Sequence, residues 1–130
     1  MVKIYQNIVN KKQANQKTIA VLIDPDNLNP LILRDLVKLG IENAVDYFFV
    51  GGSLMTTTNL SDVVKQIKET VSIPVILFPG GSLQIDSSAD AILFLSLISG
   101  RNPDLLIGQH VVAAPILKNN RLEVMPTGYI

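Results

Sequence analysis

Three observations predict an α/β fold built on a parallel sheet. The apolar runs 18–23, 44–50, 73–78 and 91–95 are nearly continuous rather than alternating, as strands buried on both faces are. The first three end in short acidic or glycine-rich turns: Asp24-Pro25-Asp26, Gly51-Gly52-Ser53 and Pro79-Gly80-Gly81-Ser82. Segments with apolar residues at helical spacing lie between most of the runs, the order of a sheet covered by helices.

The elements follow in order. Ile4, Tyr5, Ile8 and Val9 stand at roughly helical spacing, so a helix is expected over 2–14. The first strand is expected at 18–24. Asn29-Pro30 pairs an N-cap with a proline at the first helical position. Ile32, Leu33, Leu36, Val37 and Leu39 are expected to form that helix's buried face, with Gly40 as its stop. The second strand is expected at 44–50. A polar loop at 56–59 leads to a helix over 60–69, with Val63, Val64 and Ile67 inward. The third strand is placed at 73–78 and the fourth at 91–95. The connection between them has room for only a short helical turn, near the minimum for a parallel crossover. Asn102-Pro103-Asp104 repeats the cap signal and opens a helix expected to end near Ala114, before Pro115. A fifth strand is expected over 122–130, bent at Pro126-Thr127-Gly128.

The 130 residues are 48% hydrophobic and carry a formal net charge of +0. That is enough apolar material for a core. It leaves no basic stripe for nucleic acid and no polybasic membrane anchor. The chain has no cysteine, which excludes disulfides and thiolate metal sites, and its one histidine, His110, cannot build a histidine-rich one. The first 17 residues are too polar for a secretory signal, and the longest apolar run, 91–98, is too short to span a bilayer. A cytoplasmic protein with no integral membrane segment is expected.

No linker or domain boundary is visible. Five parallel strands fit either a complete open sheet or the first part of an eight-stranded barrel, which needs ~250 residues. The barrel reading is preferred, because a helix precedes the first strand and 126–130 still read as strand. Residues 1–130 are then a single partial domain, the N-terminal half of a TIM-barrel-type (β/α)8 fold.

In either architecture ligands sit at the carboxyl ends of the strands. Asp24 and Asp26 lie there after the first strand, and Gly52 and Ser53 after the second. Neighbouring strands are about 4.8 Å apart, so Asp24 and the Ser53 hydroxyl can face one small volume. A carboxylate plus a hydroxyl suits Mg²⁺, which completes its shell with waters and substrate phosphates. The glycines allow backbone N–H groups to approach a diphosphate. Asp-Pro-Asp-Asn is equally a turn sequence whose side chains cap backbone groups. His110 is read as a solvated or locally hydrogen-bonded helix residue, and Met55, Phe48 and Phe49 as core or substrate wall. There is no Walker-type loop, no dinucleotide fingerprint and no readable Ser-His-Asp arrangement. A metal here would neutralise a leaving group rather than assist ester hydrolysis.

The ordered set Leu22-Ile23-Asp24-Pro25-Asp26, Phe49-Val50-Gly51-Gly52-Ser53, Pro79-Gly80-Gly81, Ser99-Gly100-Arg101-Asn102-Pro103, Leu106-Ile107-Gly108 and Pro126-Thr127-Gly128-Tyr129-Ile130 resembles the geranylgeranylglyceryl phosphate synthase family, in its bacterial and archaeal branch. The resemblance implies a modified TIM barrel. It implies Mg²⁺-dependent transfer of a geranylgeranyl or other prenyl group from prenyl diphosphate to sn-glycerol 1-phosphate, giving an ether lipid precursor. On matching positions Asp24 and Ser53 would hold the metal. Asp26 and Gly52 would adjoin the substrate, and Tyr129 would be a candidate at the prenyl groove. Family members associate, so a homo-oligomer is expected. The acceptor contacts would lie beyond residue 130, and this chain alone is expected to be inactive. Two other readings stay open: a non-catalytic half-barrel that binds diphosphate, and a sugar-phosphate isomerase-type barrel using the strand-end acid as general acid or base.

Overall fold

The computed structural model describes residues 3–52, 60–82 and 84–130. Five strands form one sheet: β1 (Ala20–Ile23), β2 (Tyr47–Val50), β3 (Val75–Leu77), β4 (Ala91–Leu97) and β5 (Glu123–Tyr129). All neighbours are parallel, and the strand order is the chain order, β1-β2-β3-β4-β5. Parallel crossovers share one hand, so an order that never reverses puts every crossover helix on the same face. The opposite face is then the interior of a barrel arc, which distinguishes this sheet from a doubly wound one.

The crossover helices are α2 (Pro30–Glu42), α3 (Leu60–Thr70) and α4 (Gln109–Lys118), the last entered through a wide turn over Asp104–Gly108. Leu33 and Val37 of α2, Val63, Val64 and Ile67 of α3, and Ala113 and Leu117 of α4 pack on Ile23, Phe48, Val50, Val75, Leu77 and Ile92. Each such fully buried aliphatic side chain contributes about 1.5–3 kcal/mol. The inner face carries Tyr47, Ile76, Ala91, Leu93 and Met125, with Phe49, Phe78 and Leu95 packed against them. The helix α1 (Ile4–Gln13) covers this face with Ile4 and Ile8. Glu123 at the start of β5 accepts the Ile4 and Tyr5 N–H groups at 2.7 and 3.0 Å, and Lys11 pairs with Asp46 just before β2. Thus α1 closes the amino-terminal end of the sheet and leaves the carboxyl end open.

Local signals held where the deciding contacts are local. The Asn29 side chain accepts the Ile32 N–H at 2.9 Å, as an N-cap should. Four expectations are corrected. Gly40 does not stop α2 but lies buried within it, because a Cβ there would meet Phe48 Cζ at 2.5 Å. The buried stripe of α2 is Leu33, Val37 and Gly40, whereas Ile32 and Leu39 are exposed. Helix α4 runs through Pro115 to Lys118, because Ala113 and Leu117 are both buried and anchor it on either side. The proline's cost is a hydrogen bond that the exposed Val111 carbonyl can make with water. Strand β5 forms as expected and keeps its pairing through Pro126: Phe94, Leu95 and Ser96 pair with Pro126, Thr127 and Gly128 in unbroken register. Among the described residues its other edge carries no strand, and a missing N–H is tolerated there. The described residues between β3 and β4 form turns and no helical turn.

Candidate functional site

The register of β1 on β2 builds the site. Ile23 pairs with Val50, so Asp24 and the Gly51-Gly52 turn emerge side by side at the carboxyl end. Pro25 is fully buried and opens a short 3-10 turn over Pro25–Asn27; Asp24 caps it by accepting the Asp26 N–H at 3.1 Å. The turn reading and the site reading of Asp-Pro-Asp are therefore compatible. The cap fixes the carboxylate, and Asp26 contributes its backbone to that cap.

Gly51 has φ +149°, and a Cβ on it would lie 2.0 Å from the Phe78 carbonyl oxygen. Only glycine lets the chain ends of β2 and β3 come this close. Gly52 follows with its Cα turned to Asp24: a Cβ there would stand 3.4 Å from Oδ1 and 3.8 Å from Oδ2. The structure places Gly52 against Asp24; the expected partner of Asp24 is the Ser53 hydroxyl. Ser53 and Met55 lie outside the described residues.

The glycine turns are held by residues that sequence reasoning missed. Gln84 is buried. Its Nε2 donates to the Gly52 carbonyl at 3.1 Å, and its Oε1 accepts the Gly80 N–H at 2.9 Å. Gln109, at the start of α4, accepts the Ser82 N–H at 3.0 Å. The Gly80 and Ser82 amides are thus engaged by side chains rather than turned to a ligand, contrary to the expected use of that loop. Nothing in the sequence marks these glutamines except that one lies two residues beyond Pro-Gly-Gly-Ser.

A cavity of about 300 Å³ opens beside Gly52. Phe78, Leu93, Leu95, Leu97 and Tyr129 line it from the inner face, and Phe94 and His110 from the helix side. It reaches both faces because β3 pairs with β4 only at Ile76↔Ala91 and Leu77↔Ile92. Ile98 N–H donates to the Tyr129 carbonyl at 3.0 Å, so the even residues of β4 point to β5 and the odd ones to the unfilled side. On that side the Leu95 carbonyl accepts from His110 Nε2 at 2.7 Å, while the imidazole stacks on Phe94 at 4.1 Å. His110 is thus a wall and a plug for the open β4 edge, and its partner is distant in sequence rather than local. Tyr129 meets Phe78 edge-on at 5.7 Å, and Phe78 meets Phe49 at 6.0 Å, an aromatic row across the carboxyl end.

Among the described residues no three carboxylate, histidine or cysteine side chains converge. A cation here would rely on Asp24, with its remaining ligands supplied by groups outside the described residues, solvent or substrate. That is a fit for a hard ion that keeps waters and binds phosphates, not for a closed protein cage. Gly52 brings no side chain of its own against the carboxylate.

Comparisons with known proteins agree with this fold. The geranylgeranylglyceryl phosphate synthase of Chitinophaga pinensis is 51% identical over 128 residues, covering 98% of this chain and 51% of that protein. The Pyrococcus furiosus protein of the same name is 39% identical over 126 residues, covering 96% of this chain and 50% of the relative. The crystal structure of (S)-3-O-geranylgeranylglyceryl phosphate synthase from Thermoplasma acidophilum, in complex with its substrate sn-glycerol-1-phosphate, superposes with a TM-score of 0.92 at 30% identity, over 99% of this chain and 52% of that one. The chain spans about half the length of the curated relatives it matches. The PcrB family profile matches residues 11–130, and with the strand order and strand-end site described above, the chain belongs to the PcrB family.

Proposed function

We propose that this chain carries the metal and diphosphate half of a prenyltransferase. The reaction is Mg²⁺-dependent transfer of a geranylgeranyl or other prenyl group from prenyl diphosphate to sn-glycerol 1-phosphate. The observation that carries this reading is the Asp24 carboxylate lying against Gly52, which itself lines a predominantly apolar cavity. A charged end and an apolar tail are the two parts of a prenyl diphosphate.

Asp24 and Ser53 would hold Mg²⁺, which when bound supplies positive charge to the departing diphosphate. The chain's own contribution is positional. The buried Pro25 and the Asp26 N–H hold the Asp24 carboxylate in one orientation. Gly52 leaves space for the phosphate oxygens beside it. Phe78, Leu93, Leu95 and Tyr129 exclude water from the prenyl carbon, so that the acceptor hydroxyl is the available nucleophile. An apolar wall of this kind suits a prenyl chain better than a sugar phosphate. Contacts to the acceptor are assigned to the half of the fold that the relatives carry beyond the match. The chain alone is expected to bind donor without turnover.

The exposed side chains of Leu31, Ile41, Val111 and Ile116 support association into a homo-oligomer. No helix among the described residues is long and apolar enough to cross a membrane, and we place the protein in the cytoplasm.

Titration of geranylgeranyl diphosphate into the chain with and without Mg²⁺ tests the reading. Binding that needs Mg²⁺ and disappears in Asp24→Ala is expected. Binding that survives either change would sink the assignment.

A further inference from the structure

The loops after β2 and β3 are joined by two ties. One is the close approach of Gly51 to the Phe78 carbonyl, which no other residue type permits. The other is the buried Gln84 amide, one end on Gly52 and the other on Gly80. Its orientation is fixed by chemistry: only Nε2 can donate to a carbonyl, and only Oε1 can accept an N–H. The third bond, from the Gln84 N–H to the Gly81 carbonyl at 3.1 Å, seats its own backbone in the same turn.

Gly52 therefore stands between two partners. Its Cα faces the Asp24 carboxylate, and its carbonyl is held by Gln84. That carbonyl belongs to the peptide group joining Gly52 to Ser53. Among the described residues, the hydrogen bonds of the Gln84 side chain go to main-chain groups, Gly52 and Gly80. Gln84 acts only through the main chain that lies against the carboxylate.

We infer that Gln84 is a positioning residue for metal–diphosphate binding: by holding the Gly52 carbonyl it sets where the Gly52 main chain lies relative to Asp24, and so the affinity of the site. The inference rests on the proposed diphosphate reading. It extends it by assigning a role to a buried side chain outside the expected ligand set. A residue that orients first-sphere groups affects metal affinity by about ten- to a hundredfold.

The test is calorimetric titration of inorganic diphosphate with Mg²⁺ into the chain, its Gln84→Met and Gln84→Glu variants, and Lys68→Met. Lys68→Met cuts the Lys68–Asp90 pair at the opposite end of the sheet and serves as a destabilised control. All are measured well below their melting temperatures. Gln84→Glu keeps the acceptor for Gly80 and loses the donor to Gly52, so it remains informative where the methionine variant does not fold. The expected result is Mg²⁺-dependent binding to the parent chain and to Lys68→Met, weakened about ten- to a hundredfold in both Gln84 variants. Parent-like affinity in a folded Gln84 variant overturns the inference alone. An equal loss in Lys68→Met also overturns it, since the effect would then follow stability. Absence of binding to the parent chain overturns the diphosphate reading itself, and the role of Gln84 with it.

Discussion

Gly52 lies directly against the Asp24 carboxylate, so that a Cβ added to it would stand 3.4 Å from Oδ1 and 3.6 Å from Cγ. These are ordinary contact distances, so Gly52→Ala is expected to change folding stability by no more than about 0.5 kcal/mol. The methyl group would nevertheless occupy the space in front of the carboxylate. Mg²⁺-dependent diphosphate binding should weaken about tenfold or more, while the thermal midpoint stays put. A variant that binds normally would show that the ligand approaches Asp24 from another side.

Gly40 makes the opposite case. Replacing a glycine inside a helix by alanine ordinarily stabilises by about 0.5–1 kcal/mol. Here the new Cβ would be 2.5 Å from Phe48 Cζ and 3.0 Å from Cε1. Overpacking of that kind costs about 1–3 kcal/mol, so Gly40→Ala should be destabilising on balance. Phe48→Leu would relieve the clash, and the double variant should lose clearly less than the sum of the two single losses. Additive losses in chemical denaturation would refute the contact.

These two glycines show what could be read from the residues and what could not. Asp24 was legible because its determinants are local: an apolar strand, then a proline, then an acid whose N–H closes a turn. Asn29-Pro30 was legible for the same reason. Gly40 was misread because a glycine after an apolar stretch signals a helix stop and a close packing contact equally well. Only Phe48, on the next strand, decides between them. Pro115 was misread because its tolerance depends on Ala113 and Leu117 finding a core beyond it. Gln84 and Gln109 were invisible, since a glutamine in a loop carries no mark of the main-chain groups it will hold. The pairing of Asp24 with Gly52 follows from strand register, which an ordered set of parallel strands does specify.

Tyr47 presents a buried hydroxyl that has no hydrogen-bond partner among the described residues. Its ring is packed with Ile76, Ala91, Leu93 and Met125, and burial pushes its phenol pKa up. An unsatisfied buried polar group costs about 1–3 kcal/mol. Tyr47→Phe keeps the ring beneath Lys11 and removes the group, so this chain should gain about 1 kcal/mol in denaturant unfolding. A loss of stability of that size would reveal a partner for the hydroxyl in solution.

The docking of α1 should depend on pH through Lys11 and Asp46. The Lys11 ammonium, helped by the Ile19 N–H, holds Asp46 below the usual carboxylate range, and the same hydrogen bond to Asp46 pushes Lys11 up. The folded pKa of Asp46 lies below its unfolded value of about 3.9, so its contribution is complete above that value and is lost as pH falls through the folded one. The folded pKa of Lys11 lies above its unfolded value of about 10.4. Its contribution is complete below that value and is lost as pH rises through the folded one. The pair is partly exposed, which limits it to roughly 0.5–1 kcal/mol. Protection of the α1 amides from hydrogen exchange, corrected for intrinsic rates, should therefore be level from about pH 5 to 9 and fall at the acid end. Asp46→Asn should remove the acid-side fall and lower the plateau. A fall of unchanged size in that variant would assign the acid sensitivity to another group, with the Glu123 carboxylate that caps α1 as the next to replace.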